Sequence, residues 1–135
     1  MKEEKTAVLL LRENPVKPGD PYRMKELRGL ANAAGYLVLD EIIQRRERDH
    51  RFQIGRGKLE EALSCHPKKL IFYNPLSPTQ VFNIRSEFPV QVLDRFNLIL
   101  EIFASRASTR EAKLQVELAR LSYDAPQVRE ELSFR

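Results

Sequence analysis

Thr6-Ala7-Val8-Leu9-Leu10-Leu11 is a short, unbroken, partly branched apolar run. A strand with one wet face alternates apolar and polar residues, whereas one covered on both faces reads as a continuous apolar stretch, the habit of parallel sheets between helices. Outward from this run the same theme recurs. Tyr36-Leu37-Val38-Leu39 begins a second strand that continues through Ile42 and Ile43, Leu70-Ile71-Phe72-Tyr73 is a third, and Val90-Gln91-Val92-Leu93 is a fourth. Helical segments separate them, so the expected class is α/β.

The first helix is announced by Asp20-Pro21, an N-cap followed by proline at the first helical position. It carries Met24, Leu27, Ala31 and Ala34 at helical spacing and ends at Gly35. Gly55-Arg56-Gly57 opens a short helix from Lys58 to about Ser64, stopped by Pro67. Ser77-Pro78-Thr79-Gln80 is a capping box that starts a helix with Val81, Ile84 and Arg85. Asp94 caps a helix from Arg95 to about Ser105, apolar at Leu98, Ile99, Ile102 and Phe103. A second capping box, Ser108-Thr109-Arg110-Glu111, opens a helix striped by Leu114, Leu118 and Leu121. Pro126 should break or kink that helix, and the amphipathic end (Val128, Leu132, Phe134) lacks an evident surface to pack on. The expected architecture is a four-stranded, mostly parallel sheet flanked by helices over residues 1–105, with right-handed crossovers. A C-terminal helical segment, the start of an antiparallel helical pair, occupies 106–135.

A chain of 135 residues fits one hydrophobic core. It holds no long apolar run, so no transmembrane helix is expected, and its first residues are too mixed in charge for a signal peptide. Cys65 is the single cysteine. It excludes an internal disulfide, fits a reducing cytoplasm, and is expected to be a buried structural thiol.

The net charge of +4 is unevenly placed. Arg45, Arg46, Arg48, Arg51, Arg56 and Lys58 lie close together, opposed between Gln44 and Lys58 only by Glu47 and Asp49. Such a cluster is either a phosphate-seeking patch or a solvated loop whose arginines pair with nearby carboxylates. Gly55-Arg56-Gly57-Lys58 is not a Walker A loop, because Phe52 stands at the first glycine position and Leu59 where serine or threonine is required. Nor is it a dinucleotide fingerprint, since Glu60 replaces the third glycine. It supports a turn with a modest anion preference. His50 and His66 lack partners at zinc-ligand spacing. The adjacent acids Asp40-Glu41 and Glu60-Glu61 point in different directions and make no acid–base couple. No catalytic or metal site is expected. Asp94-Arg95 is an N-cap with a first-turn arginine, or else places Arg95 against a partner.

From Ile54 onward the motifs become specific. Ile54-Gly55-Arg56-Gly57-Lys58-Leu59-Glu60-Glu61, then Leu76-Ser77-Pro78-Thr79-Gln80 with Asn83, then Asp94-Arg95 followed by Leu98-Ile99-Leu100-Glu101-Ile102-Phe103-Ala104 and Arg106-Ala107, follow one another without large gaps. Thr109-Arg110-Glu111, Lys113-Leu114-Gln115-Val116-Glu117-Leu118-Ala119 and Tyr123 complete the series. Together they resemble the N-terminal domain of HflX-type ribosome-associated GTPases; the first 50 residues match in layout alone. The resemblance implies an α/β domain and a helical pair, followed in the family by a Gly-rich segment and a P-loop GTPase domain. It also implies association with the large ribosomal subunit, through ribosomal RNA near the peptidyl-transferase centre. The sequence departs from the family pattern at Phe96-Asn97 (usually Thr-Gly), Ala112 (usually Gly) and Gln127 (usually Arg).

The expectation is therefore a cytoplasmic, non-catalytic RNA- or ribosome-binding domain, not an enzyme by itself, in which Arg45, Arg46, Arg48, Arg51, Arg56 and Lys58 meet phosphates. GTP and magnesium would bind a GTPase domain absent from this chain. The alternative is a regulatory domain that packs on a GTPase domain, in cis or in trans, through Arg95 and the Leu114, Leu118 and Leu121 stripe. The same exposed helix could also pair two copies of the chain, and no membrane partner is expected.

Overall fold

The computed structural model describes residues 4–133, with side chains described through residue 122. The elements run β1 (Thr6–Glu13), α1 (Arg23–Ala33), β2 (Leu37–Arg45), α2 (Arg56–Leu63), β3 (Lys69–Phe72), α3 (Pro78–Glu87), β4 (Gln91–Asp94), α4 (Arg95–Arg106) and α5 (Arg110–Ser133). The strands form one sheet in the order β2-β1-β3-β4, and every pairing is parallel.

β1 is central and buried on both faces, as its apolar run requires. Ala7, Leu9 and Leu11 join Met24, Leu27, Ala31, Ile71 and Leu98 beneath α1 and α4. Val8 and Leu10 join Ile54, Leu59, Leu70, Phe72 and Ile84 beneath α2 and α3. Truncating a fully buried leucine such as Leu9 or Leu10 should cost about 2–5 kcal/mol. The chain moves one way across the sheet from β1 to β2 and the other way from β2 to β3 and β4. The crossover helices change face when the direction reverses, as a single handedness demands. β2 is an edge strand with Ile42 as its one buried residue, and a bulge at Leu39 shifts its register against β1 between Ala7 and Val8.

Several local expectations are corrected. Asp20 does not cap α1: its Oδ1 accepts from the Tyr22 N–H at 2.8 Å, Pro21 lies in the turn, and the helix starts at Arg23. The stop at Gly35 is as expected. Its φ of 87° is left-handed, and the Gly35 and Tyr36 N–H groups close on the carbonyls of Asn32 and Ala31. In α4 the buried residues are Leu98, Leu100 and Ile102, while Phe103 is exposed. The cap of α5 is Thr109, whose Oγ1 accepts from the Ala112 N–H at 3.1 Å, one residue later than the Ser108 box. α5 does not break at Pro126 but continues to Ser133; the side chains of Val128 and Leu132, and all of Phe134, lie outside the described residues. Cys65 is exposed, because α2 turns Leu59 and Ala62 to the sheet and ends before it. Among the described residues no helix is long and apolar enough to cross a membrane.

Candidate nucleic-acid interface

The sequence-predicted basic residues gather at the C-terminal edge of the sheet, where β2 ends at Arg45 and the connection to α2 folds back over the ends of β1 and β3. In open parallel sheets a ligand crevice forms where the crossovers reverse direction, here between β1 and β3. The molecule fills that place with its own side chains. Asn74 grips the backbone of Arg12 in both senses: its Oδ1 accepts from the Arg12 N–H at 2.8 Å, and its Nδ2 donates to the Arg12 carbonyl at 3.0 Å. Gln53, 2% exposed, accepts from Arg12 Nε at 2.7 Å and donates to the Pro75 carbonyl at 2.9 Å. Arg12 Nη1 donates to the Arg46 carbonyl at 3.0 Å. The crevice is thus roofed by the segment from Arg46 to Gly55, leaving its cations on the outside.

That roof is built in detail. Asp49 and Gln53 form an antiparallel bridge, and Asp49 Oδ1 accepts from the N–H groups of Arg51 and Phe52, both at 2.8 Å. Gln53 has a φ of 69°, a left-handed conformation retained because its side chain is bonded at both ends. From α3, Gln80 Nε2 donates to the Asp49 carbonyl at 3.0 Å and Asn83 Nδ2 to the Arg51 carbonyl at 3.3 Å. Gln80 Oε1 meanwhile accepts from the Ser77 N–H in the capping box. Leu-Ser-Pro-Thr-Gln with Asn83 is therefore both a helix start and a clamp on the basic loop. Gly55 contributes close approach: its N–H donates to Gln44 Oε1 at 2.8 Å, and an added Cβ would lie 3.0 Å from atoms of both Arg46 and Gln44.

The predicted cations have different surroundings. Arg51 and Arg56 both pair with Glu87; Arg56 also pairs with Glu60 at 3.1 Å, and Lys58 with Glu61 at 3.2 Å. Their guanidiniums lie over aromatic rings, Arg51 4.9 Å from the Phe52 centroid and Arg56 5.3 Å from that of Phe88. The Glu87 and Glu60 hydrogen bonds push the Arg56 guanidinium above its ordinary pKa. Arg45 shares Glu13 with Arg23, at 3.2 and 3.0 Å. Arg46 stands 3.6 Å from Asp49 and donates from Nε to the Glu47 carbonyl at 2.9 Å. Arg48 is exposed and makes no ion pair among the described residues. Arg12 lies below its ordinary pKa, first through burial and then through the charges of Arg48, Arg46 and Arg23, with Glu47 alone opposing.

Nothing in the chemistry of Arg12, Gln53, Gln80 or Asn83 marks them as site residues in the sequence. Arg12 follows the central apolar run, and Gln80 and Asn83 share a face of α3 at i, i+3 spacing; those positions were the available signals. Arg95 pairs with Glu26 and lies 5.6 Å from the Tyr73 ring centroid, tying α4 to α1. Leu114, Leu118 and Leu121 are 59%, 64% and 58% exposed, far from the arginines in sequence and on a separate element. Among the described residues no three His, Cys, Asp or Glu side chains gather where a metal could bind.

Comparison with known proteins agrees with this arrangement of elements. Residues 21–104 match the family described as GTP-binding GTPase N-terminal, and residues 106–133 that described as GTP-binding GTPase Middle Region. The GTPase HflX of Thermofilum pendens is 48% identical over 108 residues, covering 76% of this chain and 26% of that protein. That of Thermococcus kodakarensis is 47% identical over 109 residues, covering 78% and 25%. A crystal structure of a GTP-binding protein from Sulfolobus solfataricus in complex with GDP superposes with a TM-score of 0.75 at 33% identity, over 96% of this chain and 40% of that one. The chain thus spans about a quarter of the length of those two HflX relatives. With both family regions in register and the α/β sheet and long α5 in place, the chain belongs to the HflX family, as its N-terminal region.

Proposed function

We propose that this chain is a non-catalytic RNA-binding region of an HflX-type GTPase that associates with the large ribosomal subunit in the cytoplasm. The observation that carries the reading is the gathering of guanidinium groups on a rigid roof at the C-terminal edge of the sheet. A cationic surface of fixed shape suits a phosphate backbone, whose binding releases counterions and weakens as salt rises. Nucleotide binding and hydrolysis are assigned to a GTPase domain of the whole protein, since the natural ligand crevice of this sheet is occupied by Arg12, Gln53 and Asn74.

The test is cosedimentation with purified large ribosomal subunits across a salt series. Binding should fall steeply with salt and be abolished by changing Arg45, Arg46 and Arg48 together to Glu. Binding that ignores both salt and those substitutions would sink the reading.

A second reading is favoured by one separate observation, the exposed Leu114, Leu118 and Leu121 on α5. An apolar stripe of that kind suits docking on another helix or on a GTPase domain. Light scattering during size-exclusion chromatography, with and without added GTPase domain, tests it. A monomer that ignores the added domain removes this reading and leaves the RNA-binding one.

A further inference from the structure

We propose that phosphate contacts concentrate on Arg12, Arg46 and Arg48, and that Gln53, Gln80 and Asn83 are positioning residues holding the loop that carries two of these arginines. The proposal rests on the RNA-binding reading above and divides its cluster in two.

The division follows from who already holds each charge. On the α2 side, Arg51, Arg56 and Lys58 are closed into ion pairs with Glu87, Glu60 and Glu61, so an incoming phosphate would compete with carboxylates. On the β1 side, Arg12 donates only to neutral acceptors, the Gln53 amide and the Arg46 carbonyl. Arg48 is exposed beside it, without an ion pair among the described residues. Arg46 has one carboxylate partner, Asp49, at 3.6 Å, longer than the pairs of Arg56 with Glu60 and Lys58 with Glu61 at 3.1 and 3.2 Å, so a phosphate displaces less there. The charges acting on Arg12 are mainly cationic, and an anion placed among them relieves that repulsion. Position agrees with charge, because Arg12 is the last residue but one of the central strand, β1 (Thr6–Glu13), at the reversal of the crossovers.

The loop is held from β1, from Pro75 and from α3. Gln53 ties it to β1 and to the Pro75 carbonyl, while Gln80 and Asn83 tie the carbonyls of Asp49 and Arg51 to α3. A loop already in its binding shape has less conformational freedom to lose when RNA arrives. The two roles therefore give different signatures. Removing a phosphate contact lowers both the affinity and the steepness of its salt dependence. Loosening the loop lowers affinity but leaves the same contacts in the complex, so the salt dependence stays.

The experiment is titration of fluorescently labelled chain with purified large ribosomal subunits from about 50 to 200 mM KCl, for wild type, Arg48→Gln, Lys58→Gln, and Gln80→Met combined with Asn83→Ala. Arg48→Gln should lower affinity several-fold and reduce the slope of log affinity against log salt by about 1. Lys58→Gln should change neither. The loop variant should bind about fivefold more weakly with the wild-type slope, and its Arg51 to Gln53 amides should exchange hydrogen faster. A reduced slope for Lys58→Gln with none for Arg48→Gln would overturn the division while leaving RNA binding intact. Faster exchange with wild-type affinity would overturn the positioning role. Should the loop variant not fold, Arg48→Gln still decides, since that side chain is exposed. Wild type that fails to bind at low salt brings down the RNA-binding reading and this proposal with it.

Discussion

The two edges of the sheet solve the same problem, surplus positive charge, in opposite ways. At the N-terminal edge, Lys5 and Lys69 converge on Glu101, at 3.2 and 3.9 Å. Tyr36, 4% exposed, donates its hydroxyl to Glu101 at 2.9 Å and accepts from Lys69 Nζ at 2.6 Å. Lys5 lies 4.3 Å from the Tyr36 ring centroid. Each group there answers another, and the cluster staples the beginnings of β1, β2 and β3 to α4. At the C-terminal edge the bonds are spent instead on the shape of a loop, and the cations above it are only partly matched. A closed network stabilises the fold; an open one on a rigid base leaves charge for something outside. The same division between a structural and a functional edge is general to parallel sheets with helical crossovers.

The most severe way to break the comparison is Gln53→Leu, which strips Arg12 and the Pro75 carbonyl of buried partners at once. It should cost about 2–4 kcal/mol in urea unfolding and weaken RNA binding as well, because here stability and presentation depend on one side chain. Glu101→Ala should cost less, about 1 kcal/mol, since the two lysines remain partly in water, and leave ribosomal-subunit affinity unchanged. A change in that affinity would show that the N-terminal edge is not purely structural.

Tyr36 sharpens the contrast through pH. Burial first, and then the Glu101 hydrogen bond, raise its pKa above the ordinary 10.0. The folded chain keeps this proton where the unfolded chain releases it, so the contribution is complete below about pH 10 and is lost as pH rises beyond it. Thermal melts from about pH 8.5 to 11 should show a shallower decline for Tyr36→Phe than for wild type; parallel declines would refute the linkage. An equally small effect is expected for Gly55→Ala, about 1 kcal/mol, because the backbone there is ordinary and only the Gln44 and Arg46 side chains must yield. Its reading is the Gln44–Gly55 hydrogen bond, followed by amide exchange at Gly55.

The sheet was legible because β1 and β3 are apolar on both faces, and helices α3 and α4 because their caps are local: Ser77 with Gln80, Asp94 with Asn97. Helix starts were less so where two candidates adjoin, as with Ser108 and Thr109, since one backbone rotation decides which oxygen reaches the N–H groups. Charge density located the arginine cluster but not its division. Whether Arg51 or Arg48 is paired depends on Glu87 in α3, a partner that only the packing of α3 beside the loop brings near. Gln53 was illegible for the same reason, as both its partners are distant in sequence.

The central place of β1 has one more consequence. It is the first of the four strands to be synthesised, yet both its neighbours, β2 and β3, are made later. Until Leu37–Arg45 has emerged, the nascent chain carries Ala7 to Leu11 with neither edge paired and neither face covered. Such a segment is the kind that sticks to other chains while it waits. The interval ends only when translation has passed Phe72, making the early life of this domain depend on the pace at which about 60 further residues are delivered.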